Sequence, residues 1–325
     1  MGRILVTSRS FGSGDSSPIQ DLEGQGHEVL RGTTTHDLEE LITVLPSIDA
    51  WIAGTGPVTR RHFELAGKLR VLARYGVGVE AIDLPAAGDH SVVVTNTPGA
   101  NSDAVADHAL ALMLAALRSV TAGDRRARAG DWCTIRGRQL GSLRVAIIGF
   151  GRIGRGVARR LSGFGSDVLA ADPLLSDSAI IEGGARPISL EEAAREADVV
   201  SLHAPGGRTV IDAEWLSLLA RPVVLVNTAR ADLVDEAALA VALRKGRVAA
   251  VAADTLDGDL EARGSPLLDA DLIDRVTVTP HLGAQTVEAV DAMAAATVRA
   301  VLDVLAGRDP QHRVAVPSAH PSTSF

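Results

Sequence analysis

Residues 145–154 read VAIIGFGRIG, an apolar run that breaks into glycines at Gly149, Gly151 and Gly154. The G-x-G-x-x-G spacing is weak by itself, so its context carries the reading. LRVAIIG (143–149) has the apolar continuity of a buried strand, and RGVARRLSGFG (155–165) is helical. The next strand, DVLAAD (167–172), ends in Asp172, 18 residues past Gly154. Strand, glycine turn, helix and strand-end acid together form a dinucleotide fingerprint. The glycines let the backbone approach a pyrophosphate at a helix N-terminus. An acid at that strand end accepts from the adenosine ribose 2′-hydroxyl and repels a 2′-phosphate, so NAD is expected rather than NADP. The bland alternative is a tight turn in an ordinary βαβ unit.

The same rhythm extends in both directions. Toward the N-terminus, RILVT (3–7), HEVL (27–30), AWIAG (50–54), LRVLAR (69–74) and VVVTN (92–96) read as strands, with helix candidates at 36–45 and 59–67. Toward the C-terminus follow DVVSLHA (198–204), PVVLVNTA (222–229), VAAVAAD (248–254) and VTVTP (276–280), and a last helix at about 285–306. Strands alternating with helices imply parallel sheets of the α/β class. Strands this continuously apolar are covered on both faces. Between the two series lies a long helix from about Ser102, SDAVADHALALMLAALRSV, whose all-round apolar surface predicts burial between domains. The Pro/Ser-rich tail VAVPSAHPSTSF is expected to fray.

Composition narrows the function classes. A length of 325 residues suggests about two domains, and 46% apolar against 22% charged residues suits folded cores. A net charge of −8 without a basic block argues against a nucleic-acid partner. The lone Cys133 rules out an intrachain disulfide and a cysteine-built metal site, and no metal is expected. A reduced, cytoplasmic setting fits that cysteine use, and the polar start makes a poor signal peptide. ALALMLAAL (109–117) is too short to span a bilayer, so no membrane partner is expected. Of the two lysines, Lys68 and Lys245, neither reads as a Schiff-base nucleophile. No Walker A pattern and no G-x-S-x-G elbow occurs.

Three polar groups fall just past strand ends: His203 in VVSLHAP, Arg230 in VVLVNTAR and His281 in VTVTPH. Ligands of doubly wound sheets bind outside the carboxyl ends of strands. A strand-end histidine can equally satisfy a loop carbonyl, and an arginine there can be a surface residue, so both readings stand for His203 and Arg230. The other seven histidines read as surface or helix residues. VAADTLDGDLE (251–261) adds Asp254, Asp257, Asp259 and Glu261, either a catalytic carboxylate among them or a solvated acidic loop.

These segments carry a resemblance. VAIIGFGRIGRGVARRLSGFGSDVLAADP, VVSLHAP, VNTARADLVDEAAL and TPHLGAQT, with RYGVGVEAIDL (74–84) and NTPGANSDAVADHALALML (96–114), resemble the signatures of NAD-dependent D-2-hydroxyacid dehydrogenases, phosphoglycerate dehydrogenase-like members included. The resemblance implies two doubly wound parallel-sheet domains, with a Rossmann-type cofactor domain (99–285) inserted into a flavodoxin-like substrate domain (1–98 and 286–325). It implies a homodimer that transfers a hydride between NAD(H) and a small 2-keto or D-2-hydroxy acid. The regulatory domain of the longer phosphoglycerate dehydrogenases is not expected in a chain of this length.

Carried over by position, His281 is the acid/base on the substrate oxygen, Arg230 grips carboxylate and carbonyl, and Asp259 pairs with His281, with Glu261 as rival. Gly149, Gly151, Arg152, Ile153, Gly154, Asp172, His203, Ala204, Pro205, Thr209, Thr228, Ala229, Asp254 and Gly283 are expected around the cofactor. Arg74, Gly76, Val77 and Gly78 are expected around the substrate, the loop amides as an anion nest and Arg74 for a second anionic group such as phosphate. An interdomain or surface salt bridge is the alternative for Arg74. Three departures stand out: Ala231 where the family has glycine, DTLDGDL for its D-V-F-x-x-E-P, and Glu80 in the N-terminal loop. A non-catalytic NAD-binding sensor or scaffold of the same fold is the competing reading.

Overall fold

A computed structural model describes residues 1–258 and 264–316. Asp259, Glu261 and all but the first part of the Pro/Ser-rich tail lie outside the described residues. The chain forms two compact units, one of residues 1–101 with 285–325 and one of residues 102–284.

The first unit contains strands β1 (Arg3–Val6), β2 (Glu28–Arg31), β3 (Ala50–Ala53), β4 (Val71–Arg74) and β5 (Val93–Thr95). They form one parallel sheet in the order β2-β1-β3-β4-β5, the flavodoxin-like order. All four residues of β3 are buried, as a central strand covered on both faces requires. The helix Val287–Leu305 returns from the far end of the chain to pack on β3, β4 and β5. Of the histidines read as surface or helix residues, His62 does lie in a helix, Arg60–Leu65, whereas His36 lies in none, and both are buried in this core. His36 is 1% and His62 4% exposed. The hydroxyl of Thr7 explains why: it lies 2.7 Å from His36 Nε2 and accepts from Trp51 Nε1 at 2.8 Å, while His62 Nε2 reaches the carbonyl of His36 at 2.9 Å. Buried polar rings persist where such partners exist.

The second unit contains β6 (Arg144–Ile148), β7 (Asp167–Ala171), β8 (Arg186–Pro187), β9 (Val199–Leu202), β10 (Val223–Asn227), β11 (Val248–Ala253) and β12 (Val276–Val278). The sheet is parallel throughout, in the order β12-β11-β10-β9-β6-β7-β8. Alternate residues of β6 serve opposite cores: Val145 and Ile147 face one, Ala146 and Ile148 the other. Each buried valine or isoleucine side chain of this kind contributes ~2 kcal/mol. The helix Ser102–Leu117 packs on β10, β11 and the helix Arg152–Ser162, burying Ala106, Ala109 and Met113 completely. It stops earlier than its apolar pattern suggests, because Ser119 turns left-handed (φ +51°) and a separate helix, Val120–Arg128, begins. No single described helix is long and apolar enough to cross a membrane.

Candidate active site

In the second sheet the strand order reverses between β6 and β9, which opens a crevice at their carboxyl ends. Gly149 leaves β6 there with φ +91°. A Cβ on it would lie 2.5 Å from Ala204 N and 2.6 Å from His203 C, so the β6 and β9 exits touch only because the residue is glycine. At Gly154 a Cβ would fall 2.3 Å from Gly149 O, so the helix Arg152–Ser162 closes on the turn. Gly151 differs. Its φ of −74° suits any residue, and a Cβ would meet no protein atom within 4 Å. Packing among the described residues does not call for glycine at that position, and the turn is open on that side. Arg152, Ile153 and Gly154 follow in the first helical turn, whose N–H groups lack intrahelical acceptors.

Asp172 sits one residue past β7 and is half-buried. Its Oδ2 accepts from Phe150 N at 2.8 Å and its Oδ1 from Leu174 N at 3.0 Å. The carboxylate is thereby held beside the glycine turn with lone pairs to spare.

Three neighbouring strand exits carry orphaned polar atoms. His203 Nδ1 after β9, Thr228 Oγ1 after β10 and Thr255 Oγ1 after β11 are all buried and without a hydrogen-bond partner among the described residues. His203 Nε2 lies 2.8 Å from Ser201 Oγ, so the ring does not serve a loop carbonyl. Burial pushes its pKa down to about 4. Adjacent orphaned polar groups are what a bound polar molecule would satisfy. With the open face at Gly151, they fit a dinucleotide. Ala204 packs on the core, whereas Pro205 and Thr209 are exposed in the following loop.

The exit of β10 is shaped by Asn227, which sequence reading overlooked. Its Oδ1 accepts from Ala229 N at 3.0 Å and its Nδ2 donates to Arg230 O at 2.8 Å. Arg230 is half-buried, and its Nη1 donates to Ala229 O at 2.8 Å. Ala231 opens a 3₁₀ turn and is not among the residues of positive φ, so alanine serves there as well as glycine.

Asp254 follows β11 and is 2% exposed. It accepts from Thr279 Oγ1 at 2.5 Å, Leu282 N at 2.7 Å, Gly283 N at 2.8 Å and His108 Nε2 at 3.2 Å. Burial opposes ionisation, but these donors outweigh it and hold the carboxyl below the ordinary carboxylate range. His281 is exposed and left-handed, φ +56°, an uncommon state for a residue with a Cβ. In that state its N–H turns back to Asp254 O at 3.1 Å and Thr279 O at 3.0 Å. Arg230 and His281 thus leave β10 and β12, on either side of β11. The flanks of the acidic stretch are tied as well: Glu236, 5% exposed, accepts from Asp257 N at 2.9 Å and from Ser265 Oγ at 2.5 Å.

In the first unit the loop after β4 turns its carbonyls inward. Arg74 donates to Gly78 O at 2.9 Å and to Tyr75 O, Thr97 N donates to Gly76 O at 3.0 Å, and Asn96 Nδ2 to Val77 O at 2.8 Å. Gly76 has φ +134°. With the carbonyls engaged, the N–H groups of Gly76, Val77 and Gly78 take no partner among the described residues. Successive outward N–H groups make an anion-binding concavity. No cluster of three or more metal-ligating side chains occurs among the described residues.

A model of the family described as D-isomer specific 2-hydroxyacid dehydrogenase, NAD binding domain, matches residues 110–283. The D-3-phosphoglycerate dehydrogenase of Mycobacterium tuberculosis is 37% identical over 277 residues, covering 83% of this chain and 52% of that protein. That of Methanocaldococcus jannaschii is 34% identical over 326 residues, covering 98% and 60%. The chain thus spans between 52% and 60% of the length of these curated relatives. Among solved structures, a Thermus thermophilus protein superposes with a TM-score of 0.85 at 34% identity, covering 96% of this chain and 100% of that one. A D-lactate dehydrogenase of Aquifex aeolicus, crystallised with NAD and lactic acid, gives 0.82 at 25% identity, covering 94% and 96%.

Proposed function

The chain belongs to the D-isomer specific 2-hydroxyacid dehydrogenase family, and from that premise we propose that it is an NAD-dependent oxidoreductase that interconverts a 2-keto acid and the D-2-hydroxy acid. The observation that carries the proposal is that Arg230 and His281 leave the sheet at the same edge as the Gly149–Gly154 turn and Asp172. A sensor or scaffold that only bound NAD would need neither Arg230 nor His281.

NAD(H), when bound, supplies or takes up the hydride. The Gly149–Gly154 turn and the helix behind it would hold its pyrophosphate, and Asp172 its ribose. His203, Thr228, Ala229, Asp254 and Gly283 would line the rest, with Thr255 added by its orphaned hydroxyl. As a ketone is reduced, negative charge grows on its oxygen. Arg230 binds the neighbouring carboxylate through its planar fork and stabilises that charge. His281 gives the oxygen a proton and recovers it in the reverse direction. The amides of Gly76, Val77 and Gly78 suit the substrate carboxylate. Asp259 is our choice for the carboxylate that orients His281 and favours its protonated form.

A finer reading gives the substrate a second anionic group such as phosphate, bound by Arg74. Arg74 also braces its own loop through Tyr75 O and Gly78 O. The two tasks separate in Arg74→Ala. A KM raised far more for a phosphorylated keto acid than for glyoxylate supports the anion role, and equal increases remove it. The same reading places the protein in the cytoplasm as a homodimer; sedimentation of the purified chain checks the dimer. The central test is NADH oxidation with a panel of 2-keto acids. Tight NADH binding with no turnover on any of them would hand the protein to the scaffold reading.

A further inference from the structure

The helix Ser102–Leu117 is apolar nearly all round, yet it holds a half-buried histidine over the polar cluster of β11 and β12. His108 Nε2 lies 2.9 Å from Thr279 Oγ1 and 3.2 Å from Asp254 Oδ1. The proton inventory of the three groups has one solution. A carboxylate only accepts, and Thr279 has a single hydroxyl proton, spent on Asp254 at 2.5 Å. The contact between Thr279 Oγ1 and His108 must therefore use a proton on Nε2, shared with Asp254 Oδ1. That N–H completes the set of donors on a carboxylate that is 2% exposed. Among the described residues, the backbone donors to the carboxylate belong to the His281 turn, Leu282 N and Gly283 N, and the main-chain carbonyl of Asp254 accepts from His281 N.

We propose that His108 is a positioning residue for His281: it locks the Thr279–Asp254 pair from which the turn bearing His281 hangs. The inference rests on the dehydrogenase reading only for its catalytic consequence. The placement itself concerns the chain alone. Asp254 and the turn lie within one unit of the fold, so the effect needs no movement of the other.

The test compares His108→Phe, which fills the space without a donor, with His108→Gln, which keeps an N–H. In the cofactor-free protein, amide resonances of Leu282 and Gly283 report their bonds to Asp254. They should shift in the Phe variant and return toward wild type in the Gln variant. For keto-acid reduction, kcat should fall roughly tenfold to a hundredfold in the Phe variant, the effect of losing one hydrogen bond to a buried charge. Gln should restore most of kcat. Unmoved amides in a folded His108→Phe protein, or a Gln variant as impaired as Phe, would overturn the proposal. Should Phe at 108 prevent folding, Thr279→Val breaks the same lock and must shift the same two amides. In a wild type that reduces no keto acid, the amide shifts alone decide the placement, so failure of the dehydrogenase reading is distinguishable from failure of this one.

Discussion

Asp172→Ser should convert a strict preference for NADH into near indifference between NADH and NADPH. The carboxylate is fixed by Phe150 N at 2.8 Å and Leu174 N at 3.0 Å, so it cannot swing away from a 2′-phosphate. One pair of like unit charges about 4 Å apart repels by about 1 kcal/mol in water and about 4 kcal/mol at an effective dielectric constant of ~20. Asp172 is half-buried, which places it between those limits. A phosphate carries somewhat more than one negative charge. A penalty of ~2–4 kcal/mol corresponds to a discrimination of roughly 30- to 1,000-fold in kcat/KM. Serine removes the repulsion and leaves the Phe150 and Leu174 amides as donors for the phosphate. It also surrenders a charged acceptor for the 2′-hydroxyl, so efficiency with NADH should fall by roughly tenfold or more. Initial rates with both coenzymes on one keto acid give the ratio for each protein. A wild type that uses NADPH as well as NADH, or a serine variant with an unchanged ratio, would refute the reasoning and leave Asp172 only the task of holding two backbone amides.

Gly151→Ala tests the open face of the glycine turn: the melting temperature should hold within a few degrees while NADH affinity drops at least about tenfold, and retained affinity would show that nothing approaches that Cα. His36 tests pH linkage, because burial pushes its pKa from 6.5 down to about 4, so the unfolded chain takes up a proton before the folded one. Stability is therefore full above about pH 6.5 and declines toward pH 4, by at most about 3 kcal/mol for this group. His203 is depressed to about 4 in the same way and adds its own share, so His36→Gln should flatten part of the fall of melting temperature between about pH 6.5 and 4, and an unchanged slope would contradict the assignment. Asp259→Asn should lower the apparent pKa of keto-acid reduction and cut kcat, with little change in Glu261→Gln. The reverse pattern would give the role to Glu261, and no change in either would make the stretch a solvated loop.

The glycine turn after β6 was legible because its demands are local. A positive φ at Gly149 and the approach of Gly154 to Gly149 O arise within six residues of one another. The strands were legible because parallel strands buried on both faces stay apolar over their whole length. Their partners were not, since pairing follows from the sheet as a whole. Asn227 stands level with Ala253 and Ala253 with Val278 in the register of β10, β11 and β12. Only in that register does Asp254 N meet Asn227 O and Thr279 N meet Ala253 O. A slip of one residue would reverse which side chains face each core and scatter the exits. His108 lies 171 residues from Thr279 along the chain, so nothing near it distinguishes a helix-surface histidine from one that completes a buried carboxylate. His36 was misread for the same reason, with Thr7 supplying the distant partner. Local pattern therefore placed Arg230 and His281 past strand ends, while the residues that orient such side chains, Asn227 and His108 among them, come from register and from a helix packed across the sheet. The polar support of the site is a property of the assembled unit, and substitutions that shift β11 against its neighbours should disturb His281 as surely as changes beside it.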